Sequence, residues 1–245
     1  MELPQIVLVA LGVLLVLIII LIWFYPLFHI FFAKIFFGKF SSRYIDVHKK
    51  YTGKSPYGYC IKDDFVNHIA AFHKINNVPV FKSNKEIRFG KTPFGSSFKT
   101  VYLSNPRPFC VNAVRLEFFD LKIIGVRSEM FESEMKSYFF FVDNKFVMGE
   151  YTFKNPNDNK LREISTIVRK KYLEEKNEES LSFMIQGNND ALLRFENTGF
   201  NLSIKYLDKS DEEINFRIQQ YWNTSVKKGF EETATDFETE LFDKL

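Results

Sequence analysis

The sequence predicts an α+β fold: an N-terminal single transmembrane helix followed by a soluble domain with an antiparallel sheet and helices on one face. Three observations predict it. Residues 6–24 read IVLVALGVLLVLIIILIWF, nineteen residues without a charge. From residue 113 onward, short β-patterned segments are joined by hairpin-length turns. Two amphipathic helical patterns, 158–174 and 211–222, sit among those segments.

The apolar run matches the ~20 residues a helix needs to cross a ~30 Å hydrocarbon core. Ile6 and Leu15 lie within it, and Trp23 and Tyr25 stand at its end, where amphipathic rings favour an interface. A cleaved signal peptide is rejected: the five residues before the run carry only Glu2 as a charged side chain, and large residues follow it. Beyond Pro26 the chain stays apolar to Phe40. It is expected either to lie in the headgroup region or to continue one tilted helix to about Phe37. Between residues 25 and 62, seven bases face the single acid Asp46, a net of +6. Lys34, Lys39, Arg43, Lys49 and Lys50 are the expected lipid-facing cations. The positive-inside bias predicts a single-pass membrane protein, N-terminus outside and the C-terminal domain cytoplasmic, with Cys60 and Cys110 reduced.

Four divisions follow: an anchor and interfacial segment over 1–40, a basic connector over 41–62, an α+β cytoplasmic domain over 63–228 and an acidic amphipathic tail over 229–245. Phe65, Ile69 and Phe72 share one face of a short helix starting near Asp63. VPVFK (78–82) reads as a strand, and one helical turn is expected around Ser97 to Leu103. AVRLEFFDL alternates around Val114, Leu116 and Phe118, and LKIIGVR pairs with it. SYFFFVD and KFVMGEYTF, joined at Asp143-Asn144, form the clearest hairpin. The helix opened by Pro156-Asn157-Asp158 turns Leu161, Ile164, Val168 and Tyr172 inward. Three strands follow, LSFMIQG, ALLRFEN and FNLSIKYL. Ser210 with Glu213 then suggests a capping box for a helix bearing Ile214, Ile218 and Tyr221.

Composition excludes several classes. The 245 residues hold 33 Lys+Arg against 30 Asp+Glu, with 46% hydrophobic and 17% aromatic residues, too much apolar surface for a disordered chain. The 29 Phe fit an AT-rich codon bias better than a functional device. Outside the basic segment the net charge is −3, which argues against nucleic acid as a partner. Neither Gly53-Lys54-Ser55 nor Gly90-Lys91-Thr92 has the upstream glycine of a phosphate loop; those positions hold His48 and Lys85. His68 and His73 are five apart on a helix, which does not suit one metal ion. Cys60 with His48 is the one nucleophile pairing the sequence offers, and it needs the fold to bring them together.

No catalytic residue, cofactor or metal is therefore expected. The function expected is a membrane-anchored, non-enzymatic binding or accessory subunit of a membrane-associated complex. The alternative is a membrane-bound effector or sensor whose cytoplasmic domain binds a ligand and controls oligomerisation of the span. Expected partners are membrane lipid and a protein partner or a second copy. Phe230, Phe237 and Leu241, on one face of the acidic tail, are the expected partner contacts.

Overall fold

The computed structural model describes residues 3–58, 60, 65–73, 78–105, 108–130, 133–173 and 180–225, and the side-chain surroundings of all of these except 3–10, 17–23, 66, 67 and 73. The chain divides into two compact units, Met1–Gly58 and Tyr59–Leu245.

The first unit is a helical hairpin. Helix α1 (Leu3–Phe37) continues through Pro26. Gly38, at φ 80°, takes the left-handed conformation that turns the chain. Helix α2 (Ser42–Thr52) begins at Ser41, whose Oγ accepts from the Tyr44 N–H at 3.1 Å, and ends at Gly53, also left-handed. Tyr25 and His29 of α1 pack against Tyr51 of α2.

The expected single-pass span over residues 6–24 is not upheld. Among the described residues no helix is long and apolar enough to cross a membrane. The C-terminal part of α1 also carries His29 and Lys34. The orientation inferred from it, N-terminus outside and the domain cytoplasmic, loses its basis with the span. The cysteines contradict the reduced setting independently: Cys60 and Cys110 are joined in a disulfide, Cα–Cα 5.1 Å, a bond that persists in oxidising compartments.

The second unit is built on one eight-stranded sheet. Its strands are β1 (Val80–Lys82), β2 (Cys110–Arg115), β3 (Asp120–Met130), β4 (Ser133–Val142), β5 (Lys145–Lys154), β6 (Phe183–Gln186), β7 (Leu192–Asn197) and β8 (Asn201–Leu207). The order across the sheet is β1-β6-β7-β8-β5-β4-β3-β2. Six of the neighbouring pairs are antiparallel, but β1 runs parallel to β6, with Val80 beside Met184. The sheet is thus mixed, a correction to the all-antiparallel expectation. The β4–β5 turn has Asp143 and Asn144 at φ 45° and 71°, the mirror-image turn that matches strand twist. β2 starts earlier than its alternation suggests and ends at Arg115, so Leu116 and Phe118 lie in the following loop.

Helices cover both faces, not one. The central strand β4 is buried on both sides from Tyr138 to Val142, a continuous apolar run that needs cover above and below. On one side Tyr138, Phe140 and Val142 meet α3 (Phe65–His73) and α6 (212–225), with Phe65, Ile69, Phe72, Ile214 and Ile218 buried among them. On the other side Phe139 and Phe141 meet Phe89, Phe146 and Phe98, the last from α4 (Phe98–Ser104). Helix α5 (Asp158–Tyr172) packs on that second side, its Arg169 guanidinium over the Phe81 and Phe183 rings. Asn157 caps α5 by accepting from Lys160 N–H at 2.8 Å. The cap of α6 is Asp211, whose Oδ1 accepts from Ile214 N–H at 3.1 Å, rather than Ser210.

Candidate functional site

The site follows from strand register. β4, β5, β8 and β7 lie side by side, so their alternate residues form cross-strand rows on the α3 side. The innermost row, Phe140–Met148–Leu207–Leu192, is apolar core. The next row is Tyr138–Glu150–Lys205–Arg194, and the one beyond it Lys136–Thr152–Ser203–Glu196. Within two residues along each strand, the face that buries a core becomes a face of charges and hydroxyls.

A cavity of about 240 Å³ opens there, lined by His68 of α3, by Phe140 and Tyr138, and by Glu150, Ser203 and Lys205 among others. Glu150 is its most enclosed acid. His68 Nε2–H donates to one of its carboxylate oxygens and the Ser203 hydroxyl donates to the other. The His68 and Glu150 side chains are only 13% and 9% exposed. Burial pushes the Glu150 carboxyl upward, but the His68 imidazole, the Ser203 hydroxyl and nearby Lys205 outweigh it and hold it below the ordinary carboxylate value. Burial, and then the Glu150 charge, raise the Tyr138 phenol.

A second ionic group adjoins the first. Glu196 accepts from Lys205 Nζ at 2.9 Å and from Arg194 Nη2 at 3.2 Å. Arg194 also donates to the Ala71 carbonyl near the end of α3. Burial raises the Glu196 carboxyl, but Lys205 and Arg194 prevail and hold it below the ordinary range. Two cations directly opposite one another on β7 and β8 would repel. The shared Glu196 carboxylate is what makes the pair tolerable.

This order of groups differs from a nucleophile–base arrangement. In a serine hydrolase the hydroxyl faces an imidazole that takes its proton. Here the carboxylate stands between hydroxyl and imidazole and holds the donors of both. That geometry fixes the groups in place, with the Ser203 hydroxyl proton directed at the carboxylate.

The residues singled out by sequence fall elsewhere. Leu15 is exposed on α1, and Tyr25 packs on His29, with ring centroids 4.4 Å apart. Ile6 and Trp23 lie outside the described side chains, and Phe230, Phe237 and Leu241 outside the described residues. Lys34 is in the last turn of α1, while Lys49 and Lys50 are in the last turn of α2, where cations complement the helix dipole. Lys39 and Arg43 lie over the Phe40 and Phe37 rings at 4.8 and 4.9 Å. Cys60 offers no thiol, because it is disulfide-bonded, and His48 Nδ1 bonds the Lys54 carbonyl at 2.9 Å. Among the described residues no group of three His, Cys, Asp or Glu is placed to hold a metal ion.

Sequence reasoning passed over Glu150, Ser203 and Lys205. One signal was present: Glu150 is two residues from Met148, so it takes the core-facing side of a strand, where a carboxylate needs partners. In comparisons with known proteins, no family, no curated protein and no solved structure matches the chain.

Proposed function

We propose that this chain is a non-enzymatic binding protein whose 59–245 unit receives a small polar molecule in the cavity between α3 and the sheet. The observation that carries the reading is the convergence of His68, Glu150, Ser203 and Lys205, from three different elements, on one cavity. Buried polar groups meeting at a concave site with an aromatic wall are the usual makings of a ligand pocket. Its volume lies below the ~300–1,000 Å³ of sites for drug-sized molecules, so the occupant is small. Thermal unfolding of the full chain against a library of small polar metabolites tests the reading. A library member should raise the melting temperature of the wild type and leave Thr152→Trp, which fills the cavity mouth, unaffected. A library without effect, or equal shifts in the variant, would refute it.

A second observation favours a protein contact through the first unit. Phe28, Phe32 and Phe36 stack at successive i, i+4 positions on α1 and are 46–73% exposed together with Phe37. Apolar surface of this extent marks a contact surface. Light scattering of the purified chain, with Phe32→Ser and Phe36→Ser as the comparison, tests whether a second copy covers it. A monomer at all concentrations would exclude self-association.

A further inference from the structure

We infer that the cavity is selective for a carboxylate-bearing small molecule, which Lys205, backed by Arg194, holds in the place now taken by the side chain of Glu196. The inference rests on the ligand-binding reading and adds the chemistry of the ligand.

The charged residues lining the cavity are Lys205, Glu150 and Glu196. Glu150 is already met by His68 and Ser203, so the cation open to exchange is Lys205, whose present partner Glu196 is a carboxylate. A group that takes that partner's place is an anion of the same kind.

Hydrogen bonding points the same way. The Lys205 side chain is 12% exposed, and among the described residues its Nζ makes one hydrogen bond, to Glu196. An ammonium carries three N–H donors. A largely buried ammonium with donors to spare, at the wall of a cavity, is a ready partner for a second carboxylate.

Glu196 is also the member able to give way. Its side chain is 26% exposed, whereas those of Arg194 and Lys205 are 9% and 12% exposed. The cations are fixed in the sheet by their cross-strand neighbours, and Arg194 is tied to Ala71 as well. Glu196 therefore acts as a resident anion, lying in the cradle until a ligand carboxylate shares or replaces it. The same two cations that hold the Glu196 carboxyl ionised would hold a ligand's carboxylate ionised.

The test uses the full chain, with acetate, succinate, choline and glucose as probes at ionic strength held constant with sodium chloride. Succinate should raise the melting temperature of the wild type, and calorimetric titration should show Lys205→Met weakening it at least about tenfold. Glu196→Ala should unfold at a lower temperature than the wild type and regain part of the loss in acetate, which supplies the missing carboxylate. That rescue stands whether or not Lys205→Met folds. Acetate and succinate acting no better than chloride on both wild type and Glu196→Ala would overturn the inference. Binding of glucose or choline without the carboxylates would also overturn it, while leaving the ligand-binding reading in place.

Discussion

The ring of Phe89 occupies the space that a side chain at Gly149 would need: a Cβ there would fall 2.4 Å from Phe89 Cδ2. Phe89 is buried under β5 and stacks on Tyr151, ring centroids 4.3 Å apart, so neither partner has room to retreat. Gly149→Ala is therefore expected to destabilise the domain by about 1–3 kcal/mol through overpacking. Urea unfolding measures it; an unchanged midpoint would show that the ring shifts freely.

Phe140 and Ile164 report on opposite sides of the sheet. Phe140 packs with Phe65 of α3, while Ile164 is buried on α5, and they are 4% and 3% exposed. Each substitution by Ala should cost about 3–4 kcal/mol. Because the sites share no partner, the double variant should show the sum of the two losses. A neutral outcome at Ile164 would mean that α5 does not cover the sheet.

The Cys60–Cys110 bond closes a loop with a sequence separation of 50. Chain entropy alone predicts that replacing both cysteines with Ser costs about 4 kcal/mol. Unfolding with and without a reducing agent checks this without a variant. Equal midpoints in the two conditions would show that the bond contributes nothing.

Acid should weaken the fold through Glu150 and Glu196. Both carboxyls are held below their unfolded value of about 4.5, so their contribution is present above that value. It is lost as pH falls from there through the lowered folded-state values. Glu150→Gln should lower stability at neutral pH and flatten the stability–pH curve on the acid side. Parallel curves for variant and wild type would remove Glu150 from the acid response.

Much of the β framework was legible because its signals are local. Asp143-Asn144 specifies a two-residue turn, and the spacing of Leu161, Ile164, Val168 and Tyr172 specifies one buried helical face. What escaped is non-local. The run SYFFFV already states that β4 is buried on both sides, yet the partner on each side comes from distant segments. The parallel pairing of Val80 with Met184 and the joining of Cys60 to Cys110 likewise depend on three-dimensional closure. Glu150 and Lys205 lie 55 positions apart in the chain, and only strand register brings them opposite each other.

The pairing of β5 with β8 has a consequence for how the protein must be made. β2 to β5 form one run of hairpins and β6 to β8 another, and the two meet along that single seam. During synthesis the first run is complete while β5, ten residues long, still presents a bare edge, and bare edges recruit other chains. That hazard ends when Asn201–Leu207 arrives and zips onto it. Glu150 lies on one side of the seam, Ser203 and Lys205 on the other, so no half-finished chain owns a cavity. A ligand that bridges the two sides would then serve as a clasp, favouring the finished sheet over every open-edged precursor.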